Sequence, residues 1–128
     1  MQRNMDFIRD ILLRIEEAKG PNMVALLDKD ASESDLEKLQ YHLALVIEAG
    51  LAKGIAAHTM GGKNWLNLNL TWDGHEFVDA VRDPEIWRQT KAGAAKVGAF
   101  SLDLLASLAK GLIRKQIEKH TGVELDLG

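Results

Sequence analysis

The first fifty residues place apolar side chains at the spacing of α-helices on either side of a Gly20-Pro21 break. The first apolar face consists of Phe7, Ile8, Ile11, Leu12 and Ile15. This spacing predicts a helix that ends before Gly20. Capping signals at Ser32 and Ser34 predict a second helix that runs to about Ala49. The short apolar run 23–27 between them predicts a small strand.

The middle of the chain has the two-residue period of a β-strand. Leu66, Leu68 and Leu70 alternate with Asn67 and Asn69. This pattern predicts one strand of a hairpin, with 53–58 as its partner and the turn at Met60-Gly61-Gly62-Lys63. Trp65, Asn67 and Asn69 are predicted to line up on the solvent face as a contact surface. The alternative is that Trp65 is covered by the C-terminal helices. Thr71 is predicted to cap the next helix.

Two further helices are predicted after residue 82. Asp83-Pro84 is a helix start with a cap and a first-turn proline, and this helix carries Ile86, Trp87 and Val97. Gly98 and Ser101 separate it from a last helix, about 102–120. The apolar residues of that last helix cover more than half of its circumference, which is too wide for packing on one side. The helix therefore either lies between two layers of its own chain or forms a homodimer seam.

These elements predict a mainly α protein with a small β-hairpin, in the α+β class. Residues 1–82 form a winged-helix core: helix, glycine stop, hairpin and a new helix. Residues 83–128 form a two-helix extension that packs on the core or on a second subunit. An ordinary helix-turn-helix has two helices between the first helix and the hairpin, and only one fits here. Either the other is reduced to the loop 28–31 or the arrangement is atypical.

Composition restricts the class of protein and the chemistry available to it. A chain of 128 residues is a common size for one domain. It has no cysteine, so disulfides, thiolate nucleophiles and thiolate zinc sites are excluded. The first residues lack the basic and apolar segments of a signal peptide, and no apolar segment is long enough to span a bilayer. We expect a cytoplasmic protein with no membrane association.

The distribution of charged residues argues against recognition of duplex DNA. The net charge is −3, and residues 1–50 carry six Lys and Arg against ten Asp and Glu. The helix that would enter a major groove turns six side chains away from its predicted core, namely Ser34, Glu37, Lys38, Tyr41, Leu45 and Glu48. Only Lys38 is basic, whereas DNA binding favours cations that displace counterions from phosphates. Tyr41 and Leu45 form a small apolar stripe, which indicates a protein contact.

Catalysis has little support from the motifs. His75 and Asp79 share a helical face, but the sequence identifies no third ligand for a metal. Gly61-Gly62 is predicted to be a hairpin turn and not a phosphate-binding loop. We therefore expect no enzyme activity, no cofactor, no metal and no small-molecule substrate. A small hydrolase is the weakest of the hypotheses.

Several segments resemble an uncharacterised bacterial and phage family of winged-helix-like proteins with no assigned activity. The matching segments are 5–9 with Ile11-Leu12, Tyr41-His42-Leu43 with Glu48-Ala49-Gly50-Leu51, 70–77, and Arg82-Asp83 with Ile86-Trp87. The resemblance covers nearly the whole chain. It implies the winged-helix fold and a setting in phage, mobile-element or bacterial regulation. It implies no catalytic residue and no cofactor.

Two function hypotheses from different classes follow. The first is an interaction module that binds a protein partner or forms a homodimer. Its contact face consists of Lys38, Tyr41, Leu45, Trp65, Asn67 and Asn69. The alternative is a DNA-binding transcriptional regulator that uses the hairpin and the C-terminal bases. Its phosphate contacts are His58, Lys63, Asn64, Lys91, Lys96, Lys110, Arg114 and Lys115.

Overall fold

The computed structural model describes residues 1–60, 62–98 and 101–122. In chain order the elements are α1 (Met5–Ala18), a 3₁₀ helix (Met23–Leu26), α2 (Glu33–Glu48), β1 (Ala52–Ala56), β2 (Trp65–Leu70), α3 (Trp72–Val81), α4 (Pro84–Val97) and α5 (Leu102–Thr121). The mainly helical α+β class with a small antiparallel hairpin is confirmed. Gly61 of the predicted turn and the last residues of the predicted extension, 123–128, lie outside the described residues. The chain divides into two compact units, 1–78 and 79–128.

The core of the first unit is built by α1, α2 and the hairpin. Four apolar residues of α1 are buried as predicted, namely Ile8, Ile11, Leu12 and Ile15. The Asn4 side chain caps α1 by accepting a hydrogen bond from the Phe7 N–H. Ser32 and Asp35 form a reciprocal capping box at the start of α2. This box satisfies two backbone donors that the helix itself cannot. Of the two predicted starts, at Ser32 and at Ser34, the structure has the one at Ser32.

The apolar run 23–27 does not form the predicted strand. Met23–Leu26 is a 3₁₀ helix whose first and last residues are buried, which matches its three-residue period. The contact with the sheet is made just before it, where the Leu68 N–H donates to the Pro21 carbonyl at 2.7 Å. A run of five apolar residues fits a short strand or a helical turn equally well, and tertiary pairing decided between them.

A β-bulge interrupts β2. The strands are antiparallel, and their register shifts by one residue between the pairs Lys53↔Asn69 and Ile55↔Leu66. Asn67 lies within this shift and has a left-handed backbone, with φ of 50°. Asn occupies this region more readily than most side chains, and a bulge needs such a residue.

The bulge changes which side chains share a face of β2. In a regular strand Leu66, three residues before Asn69, would lie on the opposite face. The extra residue places Leu66 with its exposed partner Ile55 on the face of Asn69, and Trp65 turns to the other face. The prediction that Trp65, Asn67 and Asn69 line up on one solvent face is therefore wrong.

The start of α3 is held against the turn that follows α2. Thr71 caps α3 as predicted, because its hydroxyl accepts from the Gly74 N–H at 3.1 Å and donates to the Gly50 carbonyl. A Cβ on Gly74 would lie 1.9 Å from the Leu51 carbonyl oxygen. Only glycine therefore allows this approach of helix to backbone.

The second unit contains α4 packed on α5. Asp83 caps α4 as predicted, and Ile86 and Trp87 are buried. Val97, the third apolar residue named for this helix, is 69% exposed, because the helix ends there at the left-handed Gly98.

The last helix, α5, leaves part of its wide apolar face accessible to solvent. Only Leu105 and Ala109 are buried, and the other apolar residues of its wide face are partly exposed. No described helix has the length and apolar character needed to cross a membrane.

Candidate interaction surface

The outward side of α2 carries one cation, and that cation is engaged within the chain. The Lys38 Nζ lies 4.4 Å from the centre of the Phe7 ring, at cation–π distance. Tyr41 is half-buried and meets the His42 ring edge-on, with ring centres 5.1 Å apart. Leu45 is also half-buried. The predicted stripe of Tyr41 and Leu45 thus remains partly accessible to solvent, and Lys38 points to α1.

His42 is buried beneath the outward side of α2 and contacts Tyr41. It is 1% exposed. The Asn4 N–H donates to Nε2 at 2.9 Å, and Nδ1 lies 2.8 Å from the Lys38 carbonyl oxygen. A backbone N–H can donate only to an unprotonated ring nitrogen. The ring is therefore the neutral tautomer that carries its proton on Nδ1 and donates it to Lys38.

The first turns of α2 are acidic. Glu33, Asp35 and Glu37 are all exposed. Hydrogen bonds from Ser32, first from its backbone N–H and then from its hydroxyl, lower the pKa of Asp35. The end of α2 that would meet nucleic-acid bases in a helix-turn-helix therefore presents carboxylates.

The hairpin residues of the predicted contact face do not form one surface. Trp65 is half-buried and meets His58 edge-on at 4.9 Å, and its Nε1 is buried without a hydrogen-bond partner among the described residues. Asn69 is half-buried and donates from Nδ2 to the carbonyl of the exposed Asn67 at 3.0 Å. These two asparagines are thus engaged with each other at the bulge, on a different face from Trp65.

The residues of the alternative phosphate site in the hairpin have mixed exposure. The His58 Nδ1 accepts from the backbone N–H of the half-buried Asn64 at 3.0 Å. Lys63 is exposed, and its carbonyl accepts from the Gln40 side chain at 2.9 Å, which ties the hairpin to α2. Of the three predicted hairpin contacts, Lys63 is the one exposed Lys or Arg side chain.

The remaining predicted phosphate contacts belong to the second unit. Lys96, Lys110 and Lys115 are exposed. The Lys91 Nζ lies 5.6 Å from the centre of the Trp87 ring. Arg114 is half-buried, and its Nε is buried with no hydrogen-bond partner within the described ranges.

His75 and Asp79, which share a face of α3, contact different partners. The His75 Nδ1 lies 3.7 Å from Glu16, and Asp79 pairs with Arg82 at 2.9 Å. No group of three His, Cys, Asp or Glu side chains that could hold a metal ion occurs in the described part of the chain. A cavity of about 140 Å³ lies between α1, the 3₁₀ helix and α2. It is smaller than the common range for ligand pockets, about 300–1,000 Å³.

Trp72, which is not among the predicted site residues, is 79% exposed at the start of α3. A signal for it was present. The residues three and four positions later, His75 and Glu76, are polar, so Trp72 has no apolar neighbour along its helical face. A tryptophan without such neighbours is a candidate contact residue.

Comparison with known proteins identifies the family. The family model described as "Hypothetical protein (DUF2513)" matches residues 2–101. An uncharacterized protein from Haemophilus influenzae is 33% identical over 121 residues, which cover 91% of this chain and 99% of that protein. No solved structure matches the chain. Since the family match spans most of the sequence, the chain belongs to the DUF2513 family, a domain of unknown function.

Proposed function

We propose that this protein is a winged-helix module that binds protein, first of all a second copy of itself, and does not read duplex DNA through α2. The order of α1, the 3₁₀ helix, α2 and the hairpin supports the winged-helix assignment. Pro21 and Asn22 occupy the free edge of β2, where a winged helix has its first strand, and hydrogen-bond to Leu68 and Asn67. The 3₁₀ helix takes the place of the missing second helix.

The observation that carries the proposal is the chemistry of the outward side of α2. A recognition helix contacts bases with its N-terminal residues. Here those residues include the exposed carboxylates of Glu33 and Glu37, and Lys38 is turned onto Phe7. Carboxylates next to phosphate oxygens repel them, and no cation on this face compensates. Duplex binding through α2 is therefore unfavourable.

The same side of α2 suits a protein partner. Tyr41 and Leu45 are half-buried, so a partner would remove the rest of their apolar surface from water. Tyrosine is enriched in protein interfaces because it combines a large apolar ring with a polar tip. The buried His42 holds the Tyr41 ring from below, which limits the entropy lost on binding.

Light scattering over a range of protein concentrations tests self-association. We expect the mass to rise from one chain to two, and the Tyr41→Ala/Leu45→Ala double variant to need higher concentrations. Val24→Ala, an apolar truncation at a site that is 61% exposed in the same unit and lies outside α2, is the matched control. A titration with a mixed pool of duplex DNA in low salt should show no binding. A mass of one chain at all concentrations, or tight DNA binding by the wild type that Glu37→Lys strengthens, would refute the proposal.

DNA binding through the hairpin is a second candidate, favoured by one observation. Met60 is fully exposed and Lys63 is exposed near the hairpin tip, so an apolar side chain and a cation both project into solvent. Binding of this kind would weaken steeply with salt, and Lys63→Gln would lower the slope of log affinity against log salt by about one. A salt series on the wild type and this variant tests it.

A further inference from the structure

The exposure of Trp72 has no structural explanation within the described part of the chain. The residues near it in sequence have structural roles. Thr71 caps α3, Gly74 allows α3 to approach the Leu51 carbonyl, and Phe77 is buried. The Trp72 side chain itself is 79% exposed. Large aromatic side chains are mostly buried in folded proteins and are enriched in interfaces. Trp72 is therefore a candidate anchor for a partner.

Negative charge surrounds Trp72. Asp73 follows it directly, and Glu76 lies four residues later on the same helical face; both are exposed. The first unit as a whole carries eight Lys and Arg against twelve Asp and Glu, a net charge of −4. A partner for this surface should combine apolar area with positive charge.

One face of α5 has that combination. Lys110, Ile113, Arg114 and Ile117 are spaced i, i+3, i+4 and i+7, which places them on the same side of the helix. Lys110 is exposed, and both isoleucines are only half-buried. The second unit as a whole carries eight Lys and Arg against seven Asp and Glu, a net charge of +1, against −4 for the first unit. This face is opposite in charge to the Trp72 surface.

We propose that Trp72 of one copy packs on Ile113 and Ile117 of a second copy, with Asp73 and Glu76 facing Lys110 and Arg114. The inference rests on the proposed self-association and adds to it a second contact, outside the Tyr41 and Leu45 side of α2. In a two-fold dimer the contact occurs twice. An apolar centre ringed by complementary charges is the usual arrangement of a specific interface.

The dissociation constant of the dimer, from sedimentation velocity over a concentration series, tests this contact. Trp72→Ala should raise it by about 30-fold, the loss typical of a tryptophan hot spot. Val24→Ala is the matched control: Val24 is 61% exposed in the same unit and lies outside the proposed contact, so its removal should leave the constant unchanged. Circular dichroism checks that each variant remains folded.

Charge reversal provides a test that loss of folding cannot imitate. Glu76→Lys and Lys110→Glu should each weaken the homodimer. A mixture of the two variants should form heterodimers in which both contacts are matched, one by the original charge pair and one by the exchanged pair, so its affinity should exceed that of either variant alone. A wild-type dimer unaffected by Trp72→Ala and by both reversals would overturn this contact and leave the proposed self-association standing. A wild-type monomer at all concentrations would overturn both.

Discussion

The backbone N–H of Asn4 donates a hydrogen bond to Nε2 of His42 at 2.9 Å, which joins the start of α1 to the middle of α2. The same ring donates to the Lys38 carbonyl and meets Phe7 and Tyr41 edge-on, with ring centres 4.9 and 5.1 Å apart. One neutral imidazole thus sets the distance between two helices. The imidazole also contacts Tyr41, a residue of the proposed contact face.

Replacing His42 should therefore be costly. His42→Ala leaves a cavity, and it deprives the Asn4 N–H and the Lys38 carbonyl of their partner, so we expect a loss of about 2–4 kcal/mol in the free energy of unfolding. Urea denaturation measures it. The exposed His120, changed to Ala, should shift stability by less than about 0.5 kcal/mol. Equal effects of the two changes would contradict the assigned role of His42.

Two helical glycines should respond in opposite directions to alanine. A Cβ on Gly74 would lie 1.9 Å from the Leu51 carbonyl oxygen, so Gly74→Ala should force α3 away and cost about 3 kcal/mol. Gly111 lies inside α5 with nothing within 4 Å of the added Cβ, so Gly111→Ala should stabilise by about 0.5–1 kcal/mol. Thermal unfolding of both variants makes the comparison. A stabilising Gly74→Ala would show that α3 approaches the backbone less closely.

The bulge at Asn67 predicts that glycine is tolerated better than valine at this position. With φ of 50°, Asn67→Val should lose about 1–2 kcal/mol, because a β-branched residue is strained there, and Asn67→Gly should be tolerated. In a regular strand valine would be favoured over glycine. Denaturation midpoints of the two variants distinguish these cases, and a more stable valine variant would rule out the bulge.

Acid should remove one local contribution to the stability of α4. Hydrogen bonds from Arg88 and then Gln89 lower the pKa of Glu85 to about 2. Since this is below the usual value of about 4.3 for an unfolded chain, the contribution is complete at pH values above that value and is lost as the pH falls toward 2. Wild type and Glu85→Gln should thus differ in melting temperature at pH 7 and converge near pH 2.

The partner residue gives a control for this titration. Arg88→Gln should show the same convergence, and the double variant should melt close to either single variant, because one interaction is removed in each case. Additive losses at pH 7 would mean that Glu85 and Arg88 act separately.

The candidate contact face was only partly predictable. Lys38, Tyr41 and Leu45 follow from helical periodicity, since a helix fixes which side chains point away from its core. The grouping of Trp65 with Asn67 and Asn69 failed, because one extra residue in β2 exchanges the faces of the strand. The exposure of Trp72 depends on how α3 packs, and the polar residues that follow it were only an indication.

Local chemistry in the sequence determined the helices and most of their ends. The capping box of Ser32 and Asp35 and the Asp83-Pro84 start act within one helical turn, so short-range order is enough to specify them. The tertiary structure decided the features that depend on pairing between distant segments of the chain. The hydrogen bond of Leu68 to Pro21 accompanies a 3₁₀ helix where a strand was predicted, and the register with β1 placed the bulge at Asn67. Such contacts join residues far apart in the chain, which local periodicity cannot specify.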